Sequence, residues 1–130
     1  MKLNIKNETG TLKSVVLGQP KSLGAVPIID DSYDAKSYHS ILNGIYPSEK
    51  EIIYEMSEFE KVLTKYNVQV FQPEVIPDYN QVFARDVAFV IDDKMIISNV
   101  IADRADEQDA YRKIFEKVKW RDIITLPDTA

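Results

Sequence analysis

Two amphipathic helix patterns, each lying between short apolar segments, limit most strongly what this chain can fold into. The first apolar segment, residues 12–17, is nearly continuous and ends at Gly18, which is typical of a strand that packs on both faces. Ser48 and Glu51 then have the spacing of a helix capping box. Apolar residues behind this box recur at steps of four and three and predict one apolar helix face: Ile52, Met56, Phe59, Leu63 and Tyr66.

The second half of the chain has a related order of elements with one additional strand. Residues 86–91 predict a buried strand, and Asp92 and Asp93 predict the turn of a β-hairpin with the strand that follows. A second helix is predicted from about residue 103 or 104. Its apolar face would be formed by Tyr111, Ile114, Phe115 and Val118.

Strands alternating with helices predict an α/β fold. A strand around Val68 and Val70 closes the first half, and a strand at residues 123–126 closes the second. We therefore expect one domain over residues 1–130, with unit one at about 8–73 and unit two at about 80–127. The end directly after a strand suggests that this domain is a partial one.

Composition excludes several classes of function. The 16 basic and 21 acidic residues give a net charge of −5, and the basic residues do not cluster, so we expect no nucleic-acid partner. The longest apolar runs are too short to span a bilayer, and no export signal is evident, so a cytoplasmic location without a membrane partner is expected. Asp30, Asp31 and Asp34 lack the glycine-spaced ligand pattern of a calcium loop, and no metal or other cofactor is predicted.

The absence of cysteine is the strongest compositional restriction on chemistry. A chain without cysteine can form no disulfide and supplies no thiolate, either as a metal ligand or as a nucleophile. The single histidine, His39, lies in an irregular segment. No catalytic residue is therefore predicted within this chain.

The most informative segment runs from Asn80 to Asp86, where polar residues lead directly into an apolar strand. A carboxylate fixed at the mouth of a strand can accept two parallel N–H bonds from a planar guanidinium. The alternative is that Arg85 and Asp86 form only a local salt bridge or cap.

The pattern Asn-x-x-Phe-x-Arg-Asp, followed by Arg-x-x-Glu about 18 residues later, resembles the guanidino-group-modifying enzymes. These include arginine deiminases, dimethylarginine dimethylaminohydrolases and amidinotransferases. The residues that carry the resemblance are Asn80, Phe83, Arg85, Asp86, Arg104 and Glu107. The opening pattern at Glu8, Gly10, Leu12 and Val15 resembles the first strand of the same family. Ala84 stands where deiminases usually have threonine, so the amidinotransferases are the more similar branch.

The resemblance implies a pentein-like fold, a propeller of five α/β units around a central substrate channel, of which this chain would form about two. It implies that Asp86 binds the guanidinium of an arginine-like substrate, and that Arg104 and, less directly, Asn80 contact the substrate carboxylate. Phe83, Arg85 and Glu107 would be structural residues near the site. A buried pairing of Arg85 with Glu8 is a further expectation. Asp86 and Arg104 are expected to face one concave surface and to stay free of short local ion pairs.

The family's covalent chemistry uses a cysteine thiolate, a histidine and a second carboxylate, all downstream of the region that this chain resembles. The chain is therefore expected to be the N-terminal substrate-binding part of an enzyme that transfers or hydrolyses a guanidino group, and to be inactive alone. Two units of a closed ring would leave two flanks exposed. These flanks would either cause self-association or be covered by a missing C-terminal part. The alternative is a noncatalytic binding or assembly module on the same scaffold.

Overall fold

A computed structural model of the chain describes residues 1–24 and 35–127, and these residues form an α/β fold with two small sheets. The first sheet pairs β1 (Ser14–Val16) with β2 (Gln69–Phe71) in parallel. The second has the order β3-β4-β5, where β3 (Ala88–Ile91) and β4 (Lys94–Ile97) are antiparallel and β5 (Ile123–Thr125) is parallel to β4. The predicted α/β class is confirmed.

Strand β1 contacts the hydrophobic core on both of its faces, as its nearly continuous apolar sequence predicts. Val15 packs against the buried cluster of Leu17, Leu63 and Val68. Its neighbour Val16 packs against a second buried cluster, which includes Val87. Because successive side chains of a strand point to opposite faces, β1 joins the two clusters.

In the described residues between β1 and β2 there are two helices. Helix α1 (Ala35–Leu42) carries the exposed His39, and helix α2 (Glu49–Lys65) follows it. The predicted capping box is present: the Glu51 backbone N–H donates to the Ser48 hydroxyl at 3.3 Å, and the Ser48 backbone N–H donates to the Glu51 carboxylate at 2.8 Å. The hydrogen bonds from Ser48 hold the pKa of Glu51 below its usual value.

The buried face of α2 is narrower than its apolar pattern predicts. Leu63 is buried and Met56 packs against the same cluster, as expected. Phe59 and Tyr66 were predicted on this face, but both are exposed. At 100° per residue they lie on the flank of the buried stripe, together with the exposed Val62, where no described element packs against them.

The hairpin between β3 and β4 turns at Asp92 and Asp93, as predicted. Asp92 has a φ of 56°, a left-handed conformation that aspartate tolerates better than most residues. The start of β3 differs from the prediction. Asp86 ends a 3-10 turn, Ala84–Asp86, and the strand begins only at Ala88, because the Val87 N–H donates back to Ala84 instead of to a neighbouring strand.

The second predicted helix is broken into short pieces. A 3-10 turn at Ala102–Arg104 precedes α3 (Glu107–Ala110) and α4 (Arg112–Phe115). Tyr111 lies between them with φ −92° and ψ 0°, outside regular helix geometry. The predicted apolar face is nevertheless correct, because Tyr111, Ile114 and Val118 are buried and Phe115 packs against their cluster.

Two further findings concern the described residues only. None of the helices there is long and apolar enough to cross a membrane. No group of three or more histidine, cysteine, aspartate or glutamate side chains is placed to hold a metal ion in residues 1–24 and 35–127. Asp30, Asp31 and Asp34 lie outside these ranges.

We predict that Ser48→Ala lowers the free energy of unfolding by about 1 kcal/mol, because it leaves a helix N–H without its cap. Urea denaturation monitored by circular dichroism measures the change. Ser57→Ala is the matched control, since the Ser57 hydroxyl donates only to Tyr54 within the same helix. Equal losses in both variants would show that the capping box does not stabilise α2.

Candidate functional site: a guanidinium between two carboxylates

The segment that precedes Asp86 is held by a very close approach to the end of β1. A Cβ added at Gly18 would lie 2.0 Å from the carbonyl oxygen of Val82 and 2.6 Å from that of Gln81. Next to it, the backbone N–H of Gln19 donates to the Gln81 carbonyl at 2.8 Å. Only glycine allows the two backbones to lie this close, so Gly18 determines where the segment runs.

The Gln81 side chain is fully buried and fixes the loop on the other side. Its amide nitrogen donates to the carbonyl of Glu74 at 2.8 Å, and its amide oxygen accepts from the N–H of Ile76 at 2.7 Å. A second buried glutamine, Gln19, donates to the carbonyl of Pro73 at 3.2 Å. These bonds satisfy backbone groups that no strand or helix pairs. The two glutamines therefore connect the first sheet to the loop that leads to Asp86.

We predict that Gly18→Ala lowers the free energy of unfolding by about 3 kcal/mol, since the methyl group would clash with backbone atoms and not with a flexible side chain. Chemical denaturation provides the measurement. The control Gly10→Ala introduces a Cβ that would lie 3.2 Å from the side-chain oxygen of Asn7, and its effect should be below about 0.5 kcal/mol. A small effect in Gly18→Ala would contradict the proposed close packing.

Beyond this loop, Arg104 lies between two carboxylates. Its Nε donates to Glu107 Oε2 at 2.5 Å and its Nη2 to Glu107 Oε1 at 3.2 Å, so this contact is bidentate. Its Nη1 donates to Asp86 Oδ2 at 2.7 Å. We call these three residues the carboxylate–arginine cluster.

Burial differs sharply within the carboxylate–arginine cluster. The Glu107 side chain is completely buried, that of Arg104 is 13% exposed, and that of Asp86 is 42% exposed. The hydrogen bonds that Arg104 donates to Glu107, opposed by burial and assisted by Asp86, raise the pKa of the Arg104 guanidinium above its usual value. The cluster therefore contains one firmly held cation, and the formal charges of its three side chains sum to −1.

The structure corrects two expectations about charged pairs. Asp86 and Arg104 were expected to stay free of short ion pairs, but they pair with each other, because the hairpin returns Arg104 to the start of β3. The expected buried pair between Arg85 and Glu8 is absent: both side chains are exposed, and no ion pair joins them. The alternative of a local Arg85–Asp86 salt bridge is equally absent from residues 1–24 and 35–127.

The remaining predicted site residues make no hydrogen bond to the cluster. Asn80 is half-buried, and its side-chain oxygen accepts from the Val82 N–H at 3.2 Å, which stabilises the local turn. Phe83 precedes the 3-10 turn that ends at Asp86, and more than half of its surface is exposed. In this structure neither side chain contacts Arg104 or Glu107 by a hydrogen bond.

Tyr111 adds a feature that the sequence did not indicate. Its side chain is buried, and in the described part of the chain no group accepts a hydrogen bond from its hydroxyl. Burial raises the pKa of this hydroxyl above its usual value, and the negative charge of Glu107 raises it further. The hydroxyl therefore stays protonated and unpaired close to the cluster.

We predict that Tyr111→Phe leaves the free energy of unfolding unchanged or raises it by up to about 1 kcal/mol, because it removes an unsatisfied polar group and keeps the ring. Thermal and urea denaturation test this. Tyr79→Phe is the control, since the Tyr79 hydroxyl donates to the carbonyl of Asp103 at 2.5 Å, and it should be destabilising. A clear loss of stability in Tyr111→Phe would mean that its hydroxyl has a partner in solution.

Comparison with solved structures places this arrangement in a known fold. SxtG, an amidinotransferase from Microseira wollei in the saxitoxin biosynthetic pathway, superposes with a TM-score of 0.69 at 21% sequence identity. The chain has the fold of an amidinotransferase. The match covers 97% of this chain but 43% of SxtG, so the chain spans less than half of that protein. No family model and no curated protein matches the sequence.

The structural likeness agrees with the resemblance indicated by the Phe-x-Arg-Asp and Arg-x-x-Glu patterns. The solved structure with this fold is an amidinotransferase, and the sequence patterns, through Ala84, resemble the same branch of enzymes. Gly18, Gln81 and the buried hydroxyl of Tyr111 were missed. The only available signal was the position of Gly18 at the end of a predicted strand, and it did not reveal what approaches that glycine.

Proposed function

We propose that this chain is the substrate-binding part of an enzyme that transfers or hydrolyses the guanidino group of arginine or a related compound. The observation that carries the proposal is the carboxylate–arginine cluster, in which a half-exposed aspartate already binds a guanidinium and one negative charge remains. The fold shared with an amidinotransferase supports it. In that scaffold the chain would supply about two of five α/β units.

Asp86 is the proposed ligand of the substrate guanidinium. Among the described residues, no donor contacts its Oδ1, and Oδ2 is bound only by Arg104. A guanidinium binds a carboxylate best through two parallel N–H bonds. Asp86 would hold the cationic group and keep its carbon oriented for attack, while the attacking thiolate, the histidine and the second carboxylate would come from outside this chain.

The carboxylate end of the substrate is assigned to Arg104 and Asn80. Three of the five N–H donors of Arg104 are used by Asp86 and Glu107, which leaves two for a ligand. A contact with a distant substrate carboxylate requires Arg104 to move away from Asp86. In a complete enzyme, loss of this contact should mainly raise KM, because that end of the substrate does not react.

A noncatalytic binding module is the second candidate. The observation that favours it is the absence of cysteine from all 130 residues, since the chain itself contains no thiolate for covalent catalysis. Both candidates predict guanidinium binding at Asp86. They differ in whether a longer form of the protein that includes this chain converts arginine to ornithine or citrulline.

We predict that Asp86→Asn weakens binding of arginine by about tenfold or more, because it removes a charge-assisted contact and keeps the side-chain shape. Titration of the isotope-labelled 130-residue chain with arginine, followed through the backbone amide signals of Asp86 and Val87, gives the affinity.

Asp109→Asn is the matched control for this titration. It removes the same charge at an exposed position whose nearest cation, Arg112, is 4.0 Å away, and should leave the affinity unchanged. Equal binding in Asp86→Asn and the unmodified chain would rule out Asp86 as the guanidinium ligand.

A further inference from the structure

We propose that Arg104 competes with the ligand's guanidinium for the carboxylate of Asp86. Arg104 is bound to Asp86 when no ligand is present. When a guanidinium ligand binds, Arg104 gives up this contact but keeps its contact with Glu107. The inference rests on the proposed function, because it assumes that Asp86 is the ligand's carboxylate. It assigns Arg104 and Glu107 as positioning residues that set the affinity of Asp86 for its ligand.

The geometry separates the two contacts of Arg104. Glu107 holds the guanidinium along one side, through Nε and Nη2, whereas Asp86 is reached only by Nη1. A small rotation or shift of the terminal group can therefore lengthen the Nη1–Oδ2 contact while the bidentate contact persists. Arg104 therefore stays bound to Glu107 when Asp86 exchanges Arg104 for a ligand.

Burial determines which contact breaks. Glu107 is completely buried, and a buried carboxylate that loses its cation is strongly destabilised. Asp86 is 42% exposed, so water or a ligand can replace Arg104 at little cost. A cation that enters the site will consequently displace Arg104 from Asp86 and leave it on Glu107.

The geometry of the Asp86 carboxylate favours one class of ligand. A guanidinium presents two parallel N–H donors to a carboxylate and can replace the single Nη1 contact with two bonds. A primary ammonium is a compact point charge without this fork. A guanidinium therefore displaces Arg104 more readily than an ammonium does, and Arg104 can return to Asp86 once a bound molecule has lost its guanidino group.

The test uses a variant with the same cluster charge as the unmodified chain. Arg104→Gln combined with Glu107→Gln removes one positive and one negative charge, so Asp86 alone keeps the net charge of −1, and no buried carboxylate is left unpaired. Methylguanidine and methylammonium, which lack a carboxylate, are titrated into both proteins and followed at the amide signals of Asp86 and Val87.

We expect methylguanidine to bind the double variant about fivefold more tightly, since an internal ion pair of this exposure no longer competes. Methylammonium should gain by about the same factor, because a competitor that both cations displace lowers both affinities equally. Unchanged or weaker methylguanidine binding in the double variant would overturn the inference. Glu107→Gln alone, which keeps Arg104 as a competitor, should not reproduce the gain in affinity.

A second measurement needs no variant and covers the case in which the double variant does not fold. During titration of the unmodified chain with methylguanidine, the Nε–H signal of Arg104 should persist and its Nη signals should broaden or shift. Loss of the Nε–H signal, or unaltered Nη signals at saturation, would contradict the proposed exchange.

Asp86→Asn separates failure of the inference from failure of the proposed function. If Asp86→Asn abolishes methylguanidine binding but the double variant shows no gain, Asp86 is the ligand and only the role of Arg104 is wrong. If the amide signals respond to methylguanidine equally in Asp86→Asn and in the unmodified chain, the assignment of the guanidinium site is wrong. The same conclusion follows if neither the unmodified chain nor the double variant binds methylguanidine.

Discussion

The backbone contact between Gly18 and the Gln81–Val82 peptide is the constraint on which the rest of the arrangement depends. It brings the end of the first sheet within van der Waals distance of the segment that leads to Asp86. The buried amides of Gln19 and Gln81 then satisfy the polar groups that this close approach removes from water. This junction, together with the packing of Val16 against the cluster that contains Val87, positions the segment that leads to Asp86 against the first sheet.

A buried charge controls the site at the next level. Glu107 has no access to solvent, so Arg104 must stay beside it, and the position of Arg104 in turn determines how Asp86 is neutralised. The surroundings of the exposed Asp86 carboxylate are thus determined indirectly, because Asp86 shares Arg104 with the buried Glu107. Three charged side chains act as a unit, and a substitution at one of them will alter the other two.

Local features of the fold could be predicted from the sequence, and features that join distant segments could not. The capping box of Ser48 and Glu51 and the hairpin turn at Asp92 depend on neighbouring residues, and both are present. The break at Tyr111 has no glycine or proline to mark it. The contact of Gly18 with Val82 joins residues 64 positions apart, and no local pattern encodes such a contact. Motif resemblance identified Asp86 and Arg104, but it could not show that they bind each other.

The parallel pairing of β1 with β2 has a consequence for how the chain reaches this structure. Val15 and Val70 are register partners separated by 55 positions, whereas β3 and β4 are joined by two residues. Closing the longer loop costs more chain entropy and must occur before the contact yields any stabilisation. The hairpin and the capped helix α2 should therefore form early, and the first sheet late, so that Asp86 acquires its fixed surroundings only in the last stage of folding.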